Sequence, residues 1–247
     1  MYGYMGKILM VDLTAGRLED MPLSAEYARQ YLGGSGLAAR YLYDLLDVHT
    51  ELLSPANPLI FMTGPLVGTR APSCGRFEVC ARSPLTGFWG EGNAGGFWGP
   101  ALRFAGYDGI IIQGAAERAV YLLVRDGRAE LRDAAHLWGM DTYAVQRAIQ
   151  QEVGDHSLKV AAIGVAGEKL SPMAVIANAH GRTAGRGGMG AVMGSKKLKA
   201  IAVGGRQKVP LADAERFLPA AKEALTILQD DISSQMLHLG GTAFYVD

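Results

Sequence analysis

Two stretches of this 247-residue chain align with each other without a gap, "GNAGGFWGPALRFAGYDGIIIQG" at residues 92–114 and "TAGRGGMGAVMGSKKLKAIAVGG" at residues 183–205. Gly96 falls opposite Gly187, Gly99 opposite Gly190, Ile110 opposite Ile201 and Gly114 opposite Gly205. Upstream of each, "LIFMTGP" (59–65) matches "KVAAIGV" (159–165) as a strand that runs into a glycine. The order strand, strand, glycine loop, short helix, strand thus occurs twice. That order points to an internal duplication that places two similar glycine loops on one surface.

Around the repeats the chain alternates hairpins and helices. "KILMVDLTAGRLEDMPL" reads as a hairpin turning at Thr14-Ala15-Gly16, and "AVYLLVRDGRAELRDA" as one turning at Asp126-Gly127. Ser24 can cap a helix through Tyr31 that Gly33 and Gly34 end, and "GLAARYLYDLL" places Leu37, Tyr41, Leu42 and Leu45 at helical spacing. Asp141 starts a further helix that stops at Gly154, and "ADAERFLPAAKEALTILQDD" is amphipathic, with Pro219 either kinking it or marking its true first turn. "NPLIFMTGPLVGT", "GRFEVCARS", "GYDGIIIQG", "KVAAIG", "MAVIAN" and "KAIAVGG" contain short strands. Strands and hairpins with interspersed helices make the fold class α+β.

With 49% hydrophobic residues the chain can bury a substantial core, and its 33 glycines against 10 prolines indicate many tight turns or close backbone contacts. A net charge of zero argues against a nucleic-acid partner. Cys74 and Cys80 form no disulfide framework and match no metal spacing, so they read as small packing residues. The N-terminal apolar run is broken by Asp12, and no run is long enough to span a bilayer. A reducing cytoplasm is the expected location.

Glycines let backbone N–H groups approach a ligand, and arginines such as Arg182 and Arg186 grip phosphate oxygens in a two-pronged way. The loops read as a pair of phosphate cradles or, equally, as tight turns with Arg and Lys (Lys196, Lys197, Lys199) solvated at the rim. "GRGGMG" lacks the G-x-G-x-x-G spacing, and "GSKK" reverses the lysine and serine of the Walker pattern. His49, His136, His156, His180 and His238 show no metal-binding pairing, and His180, which precedes the second loop, is more often a surface or core residue than a ligand contact. Two cysteines cannot hold an ordinary iron–sulfur cluster. Trp89, Trp98 and Trp138 read as core or ligand-wall aromatics, and no Ser-His-Asp or paired-carboxylate arrangement stands out.

"SPLTGFWGEGNAGGFWGPALRFAGYDGIIIQG", "LRDAAHLWG" and "AGRGGMGAVMGSKKLKAIAV" together resemble the N-terminal domain of the aldehyde:ferredoxin oxidoreductase family of tungsten enzymes, over roughly residues 1–210. The resemblance implies a duplicated two-sheet platform of short strands with interspersed helices, carrying a tungsten bis-pterin (tungstopterin) cofactor with molybdenum as the alternative metal. It further implies a magnesium ion bridging the two pterin phosphates and no side-chain ligand to the tungsten. Carried over residue by residue, Arg76, Asn93 and Gly95 would serve one half of the cofactor, and Arg182, Thr183 and Gly185 the other. The backbone carbonyls of Asn93 and Thr183 are the implied magnesium ligands.

Members of the family continue into helical domains that bring the cysteines of a 4Fe–4S cluster and the acid–base residues. Residues 1–208 are therefore expected to form the cofactor-binding domain, and residues 209–247 the start of a helical second domain, in a chain read as a fragment whose catalytic residues lie elsewhere. The implied reaction oxidises an aldehyde with water to a carboxylic acid, passing electrons through the cluster to ferredoxin or another acceptor. The resemblance leaves room for a homodimer of the full-length form. A benzoyl-coenzyme A reductase type of catalytic subunit is the alternative within the family, and a non-catalytic pterin-binding module the alternative outside enzymes.

Overall fold

The computed structural model describes residues 1–179 and 181–245, and in it the chain builds two six-stranded mixed sheets. The first half supplies β1 (Lys7–Asp12), β2 (Arg17–Pro22), α1 (Ala25–Tyr31), α2 (Gly34–Leu45), β3 (Leu59–Thr63), β4 (Phe77–Arg82), β5 (Trp89–Ala94), α3 (Trp98–Phe104) and β6 (Gly109–Gln113). The second half supplies β7 (Val120–Arg125), β8 (Arg128–Asp133), α4 (Thr142–Val153), β9 (Lys159–Ala162), α5 (Val165–Glu168), β10 (Ile176–Asn178), β11 (Arg182–Ala184), α6 (Met189–Ser195) and β12 (Leu198–Gly204). Two more helices follow, α7 (Ala214–Asp230) and α8 (Ile232–Gly240). His180, singled out in the sequence, lies outside the described residues.

The first sheet runs β2-β1-β6-β3-β4-β5, and the second, taken from its hairpin edge, runs β8-β7-β12-β9-β10-β11. In each, the first strand pairs in parallel with the last (β1 with β6, β7 with β12), and every other pairing is antiparallel. The duplication expected from the sequence is thus present strand for strand. The offset of 91 residues between the aligned stretches carries Trp98–Phe104 onto Met189–Ser195, the bounds of α6.

Local sequence explains the elements. Every residue of β3 ("LIFMT") and β12 ("LKAIAVG") is buried, as a strand covered on both faces requires. Ser24 accepts the Tyr27 N–H at 3.3 Å to cap α1, and Asp141 accepts the N–H groups of Tyr143 and Ala144 at 2.9 Å each to cap α4. Gly154 ends α4 with φ 69°. The glycines expected to end α1 do otherwise: the chain leaves that helix at Leu32, and Gly34 opens α2, because the connection between the helices is only two residues long. Pro219 does not mark the first turn of α7, since Asp213 caps that helix at Ala214 by accepting the Arg216 N–H at 2.9 Å.

Each sheet has an outer and an inner face. On the outer face of the first, Leu37, Ala38, Tyr41 and Leu42 of α2 pack on Ile60, Met62, Cys80 and Ile111. On the outer face of the second, Val145 and Ile149 of α4 pack on Tyr121, Val160 and Ala202. The two inner faces share one core, in which Phe61, Val79, Ile110 and Ile112 meet Leu122, Val124, Ile201 and Val203 around α3 and α6. At about 1.5–3 kcal/mol for each fully buried aliphatic or aromatic side chain, this shared core holds the halves together.

The inner helices cross between the halves. α3 lies against β9 and β12 of the second sheet, and α6 reaches β3, β4 and β5 of the first. Polar bonds fix the exchange: the Trp98 indole donates to the Ile201 carbonyl at 3.0 Å, and the Ser83 hydroxyl to the Gly187 carbonyl at 2.8 Å. Lys196 donates across the same boundary to the carbonyls of Pro55 (2.9 Å) and Gly114 (3.1 Å).

Lys197 is exposed, but Lys196 and Lys199 are fully buried, so of the three lysines expected at a solvated rim only Lys197 is there. Lys199 donates to the Met140 carbonyl at 2.9 Å and pairs with the buried Glu168. Both amino groups donate to buried carbonyls, which is what their desolvation demands. After β12 the chain stays tied down, with Gln207 donating its N–H to Phe104 at 3.0 Å and Gly3 donating to Pro210 at 2.8 Å. Beyond Pro210, α7 buries only Ala221 and α8 buries nothing. No helix of the described residues is long and apolar enough to cross a membrane.

Candidate cofactor-binding site

β5 and β11 are the outermost strands of their sheets, so each keeps one row of backbone N–H and C=O groups outside its ladder. The two edges meet. A Cβ on Gly92 would lie 3.0 Å from the Cβ of Ala184 and 3.3 Å from its Cα, so a glycine is what lets the strands approach here. The 91-residue offset carries the pair Gly92 and Ala184 onto Thr183 and Asn93. Asn93 and Thr183 therefore flank the point where the two halves cross.

The sequence-derived residues gather at this crossing. Arg76 immediately precedes β4, Asn93 lies on β5 opposite Glu78 of β4, and Gly95 follows the end of β5. Arg182 and Thr183 are on β11, and Gly185 follows it. The Arg76 guanidinium donates to Asn93 Oδ1, and Asn93 Nδ2 donates to Glu78 Oε1. From the other half, Arg182 Cδ lies 3.8 Å from a Cβ built on Gly95 and 3.0 Å from one built on Gly96. The segment Asn93–Gly96 thus sits between the two arginines. Arg182 is steadied by its own donation to the Ala179 carbonyl at 3.3 Å and by Asn178, whose Nδ2 donates to the Arg182 carbonyl at 3.2 Å. A Cβ on Gly185 would lie 3.2 Å from Thr183 Oγ1, and both residues are exposed.

The electrostatics favour an anion. Arg76, Arg182 and Arg186 are exposed, and among the described residues none of them lies within 4.0 Å of a carboxylate oxygen. Among the described residues three buried side-chain polar atoms lack a partner, and two of them, Glu78 Oε2 and Asn178 Oδ1, border this segment. Burial pushes the Glu78 carboxyl above the ordinary range, and the charge of Glu91 pushes it the same way. Gly96 is held at φ +102° with its missing Cβ only 2.9 Å from Asn178 Oδ1, so the backbone passes close to its neighbours here. Uncompensated guanidinium groups beside free backbone edges suit phosphate oxygens, and carbonyl oxygens suit a hard cation such as magnesium. The residues present fit an anionic, phosphate-bearing ligand.

The scaffold is duplicated but the charges are not. Under the 91-residue offset Arg182 falls opposite Glu91, and Arg76 stands outside the aligned stretch. The two arginines reach the crossing from non-equivalent places. Among the other candidates, Trp98 is fully buried, whereas Trp89 and Trp138 are partly exposed. Cys80 packs in the outer core, where burial pushes its thiol up, and Cys74 Sγ donates to the carbonyls of Leu66 (3.0 Å) and Ala71 (2.8 Å). Glu78 and Asn178 were not singled out in the sequence. Each is one polar residue near the end of a short strand, and only cross-strand pairing brings it to the site.

Residues 8–205 match the family described as aldehyde ferredoxin oxidoreductase, N-terminal domain. The chain is 44% identical over 248 aligned residues to the tungsten-containing aldehyde ferredoxin oxidoreductase of Pyrococcus furiosus, covering 100% of this chain and 41% of that protein. The enzyme of the same name from Thermococcus kodakarensis gives the same identity and coverage, 44%, 100% and 41%. Among solved structures, the active site complex BamBC of benzoyl coenzyme A reductase with 1,5-dienoyl-CoA superposes with a TM-score of 0.90 at 39% identity, over 92% of this chain and 35% of that one. The chain spans about two fifths of the length of the curated relatives it matches, 41%. With its duplicated sheets, its crossing loops and this identity, the chain belongs to the aldehyde ferredoxin oxidoreductase family, whose N-terminal domain it carries.

Proposed function

We propose that this chain is the cofactor platform of a tungsten-dependent oxidoreductase that acts on aldehydes. The observation that carries the reading is the placement of Asn93–Gly96 between Arg76 and Arg182, two guanidinium groups without a carboxylate partner among the described residues. Arg76 and Arg182 would each bind oxygen atoms of a pterin phosphate, Gly95 and Gly185 would let the cofactor approach the backbone, and the carbonyls of Asn93 and Thr183 would face magnesium. The bound cofactor would supply the two-electron chemistry that turns an aldehyde and water into a carboxylic acid, with electrons leaving through a 4Fe–4S cluster outside this chain to ferredoxin. The platform's own part is to bind and orient. Residues beyond this chain would close the substrate cavity and supply proton transfer, in a cytoplasmic enzyme.

A second reading is a benzoyl-coenzyme A reductase type of subunit, supported by the TM-score of 0.90 to a chain of such a complex. The higher identity to the aldehyde enzymes, 44% against 39%, favours the first.

Elemental analysis of the full-length protein, produced with tungstate, should find stoichiometric tungsten or molybdenum together with pterin. Dye-linked assays should show aldehyde oxidation in preference to turnover of dienoyl-CoA. A folded full-length protein with no group-six metal would sink the proposal. Replacing Arg76 or Arg182 by alanine should weaken cofactor retention by about ten- to a hundredfold without unfolding the chain, since a charge-assisted contact contributes about 1.5–3 kcal/mol.

A further inference from the structure

We propose that Glu78 is a positioning residue for the first cofactor loop: by holding the amide of Asn93 it directs the guanidinium of Arg76 toward an anionic group of the bound cofactor. The inference rests on the functional reading above and concerns a residue which that reading leaves without a role.

An asparagine side chain has a donor end and an acceptor end, and its neighbours decide which way it faces. Glu78 Oε1 accepts from Nδ2 of Asn93, which leaves Oδ1 as the end turned to Arg76. If Asn93 were reversed, its NH2 group would meet a guanidinium that has only donors. Nothing else bonds the Asn93 side chain among the described residues, so Glu78 and Arg76 together set its orientation.

Glu78 is well placed to hold. It sits directly opposite Asn93 in the β4–β5 ladder, and its Cγ lies 3.4 Å from a Cβ built on Gly34 at the start of α2. Its second oxygen is buried. The carboxylate also acts at one remove. No carboxylate lies within 4.0 Å of Arg76 among the described residues, because the neutral amide of Asn93 stands between. A direct ion pair would occupy the guanidinium, whereas this relay aims it and leaves its other N–H groups for phosphate oxygens.

The test uses the full-length protein with Glu78→Met, which fills similar volume without an acceptor, and Glu78→Gln, whose carbonyl can accept the same bond. Hydrogen exchange of the Asn93 side-chain amide, followed by NMR, should speed up about tenfold in Glu78→Met and return to the original rate in Glu78→Gln. Tungsten loss on dialysis should speed up about tenfold in Glu78→Met and in Arg76→Ala, and no further in the double variant. Additive losses in the double variant, or an unchanged Asn93 amide in Glu78→Met, would overturn the proposal. If Glu78→Met does not fold, Asn93→Ala breaks the same relay at its centre and must likewise be non-additive with Arg76→Ala. A parent protein that binds neither pterin nor metal overturns the functional reading and the named ligand with it. The amide measurement then still decides whether Glu78 directs Asn93.

Discussion

The indole N–H of Trp98 and the carbonyl of Ile201 lie 3.0 Å apart, although one belongs to the first half of the duplication and the other to the second. Trp98 is fully buried between the sheets and packs at a tilt against Phe77 and Phe61, with ring centroids 4.5 and 5.4 Å away. Trp98→Phe should therefore remove one donor from the buried Ile201 carbonyl and cost about 0.5–1.5 kcal/mol. Trp98→Ala should cost about 3–5 kcal/mol through the cavity it opens. Urea denaturation followed separately by near- and far-ultraviolet circular dichroism should show one shared transition moving to lower urea. Two separated transitions would mean that the halves are not coupled through this contact.

Gly95 and Gly96 should respond differently to alanine. A methyl group on Gly95 would come no closer than 3.8 Å to Arg182, an ordinary contact, so Gly95→Ala should fold normally and lose only cofactor retention. Gly96→Ala puts a side chain at φ +102° and 2.9 Å from Asn178 Oδ1, so stability should fall together with retention. Thermal melting of the cofactor-free variants separates the two. Equal destabilisation would show that Gly95 is needed for the fold and not for the ligand.

Lys196 makes the stability of the protein depend on pH. Burial lowers its pKa from 10.5 to about 7, so between those values the unfolded chain holds a proton that the folded chain has released. Stability should rise with pH across that window and carry the full cost of the buried lysine below about 7. The slope reaches about 1.4 kcal/mol per pH unit where the two states differ by one proton. In Lys196→Met this contribution should vanish, and the difference between variant and parent, measured by chemical denaturation from pH 6 to 10, isolates it from other groups. Parallel curves would show that Lys196 keeps its proton in the folded protein.

The segment after β12 is tethered by backbone bonds as far as Pro210, and only past it does the chain enter the largely exposed α7. A protease should cut first between Leu211 and Ala214, leaving a platform slightly longer than the 1–208 domain expected from the sequence. Mass spectrometry of the early fragments checks this. Initial cleavage inside residues 1–204 would contradict a division at this place.

Much of the scaffold was legible because its signals are local. Ser24 and Asp141 cap helices, Asp126-Gly127 turns a hairpin, and the repeated glycine spacing betrayed the duplication and the two loops. What escaped was set by partners distant in sequence. Arg182–Ala184 and Trp89–Ala94 do not read as strands, and their ends fall within the glycine loops, because short edge strands gain their identity from the ladder beside them. Lys196 and Lys199 looked like solvated charge because nothing near them in sequence reveals the carbonyls of Pro55, Gly114 and Met140 that receive them. The site residues were named through the family likeness. Glu78 and Asn178 became visible only when β4 was seen to face β5 and β10 to face β11.

The exchanged inner helices make the chain a tethered pair of subunits. α3 finds its bed on the second sheet and α6 extends to the first, so neither half owns a complete interior. The link between them is the short stretch from Gly114 to Ala119, where Arg118 is largely exposed. Pieces 1–116 and 117–247 made together should therefore reassemble into a particle the size of the intact chain, and either piece made alone should aggregate or pair with itself. Size-exclusion chromatography with light scattering would reveal which occurs, and a monomeric, folded 1–116 would show that the tether joins two self-sufficient domains. If the pieces reassemble, the cofactor platform is a dimer written into one polypeptide, free to place different charges on its two sides, as Arg182 and its counterpart Glu91 already do.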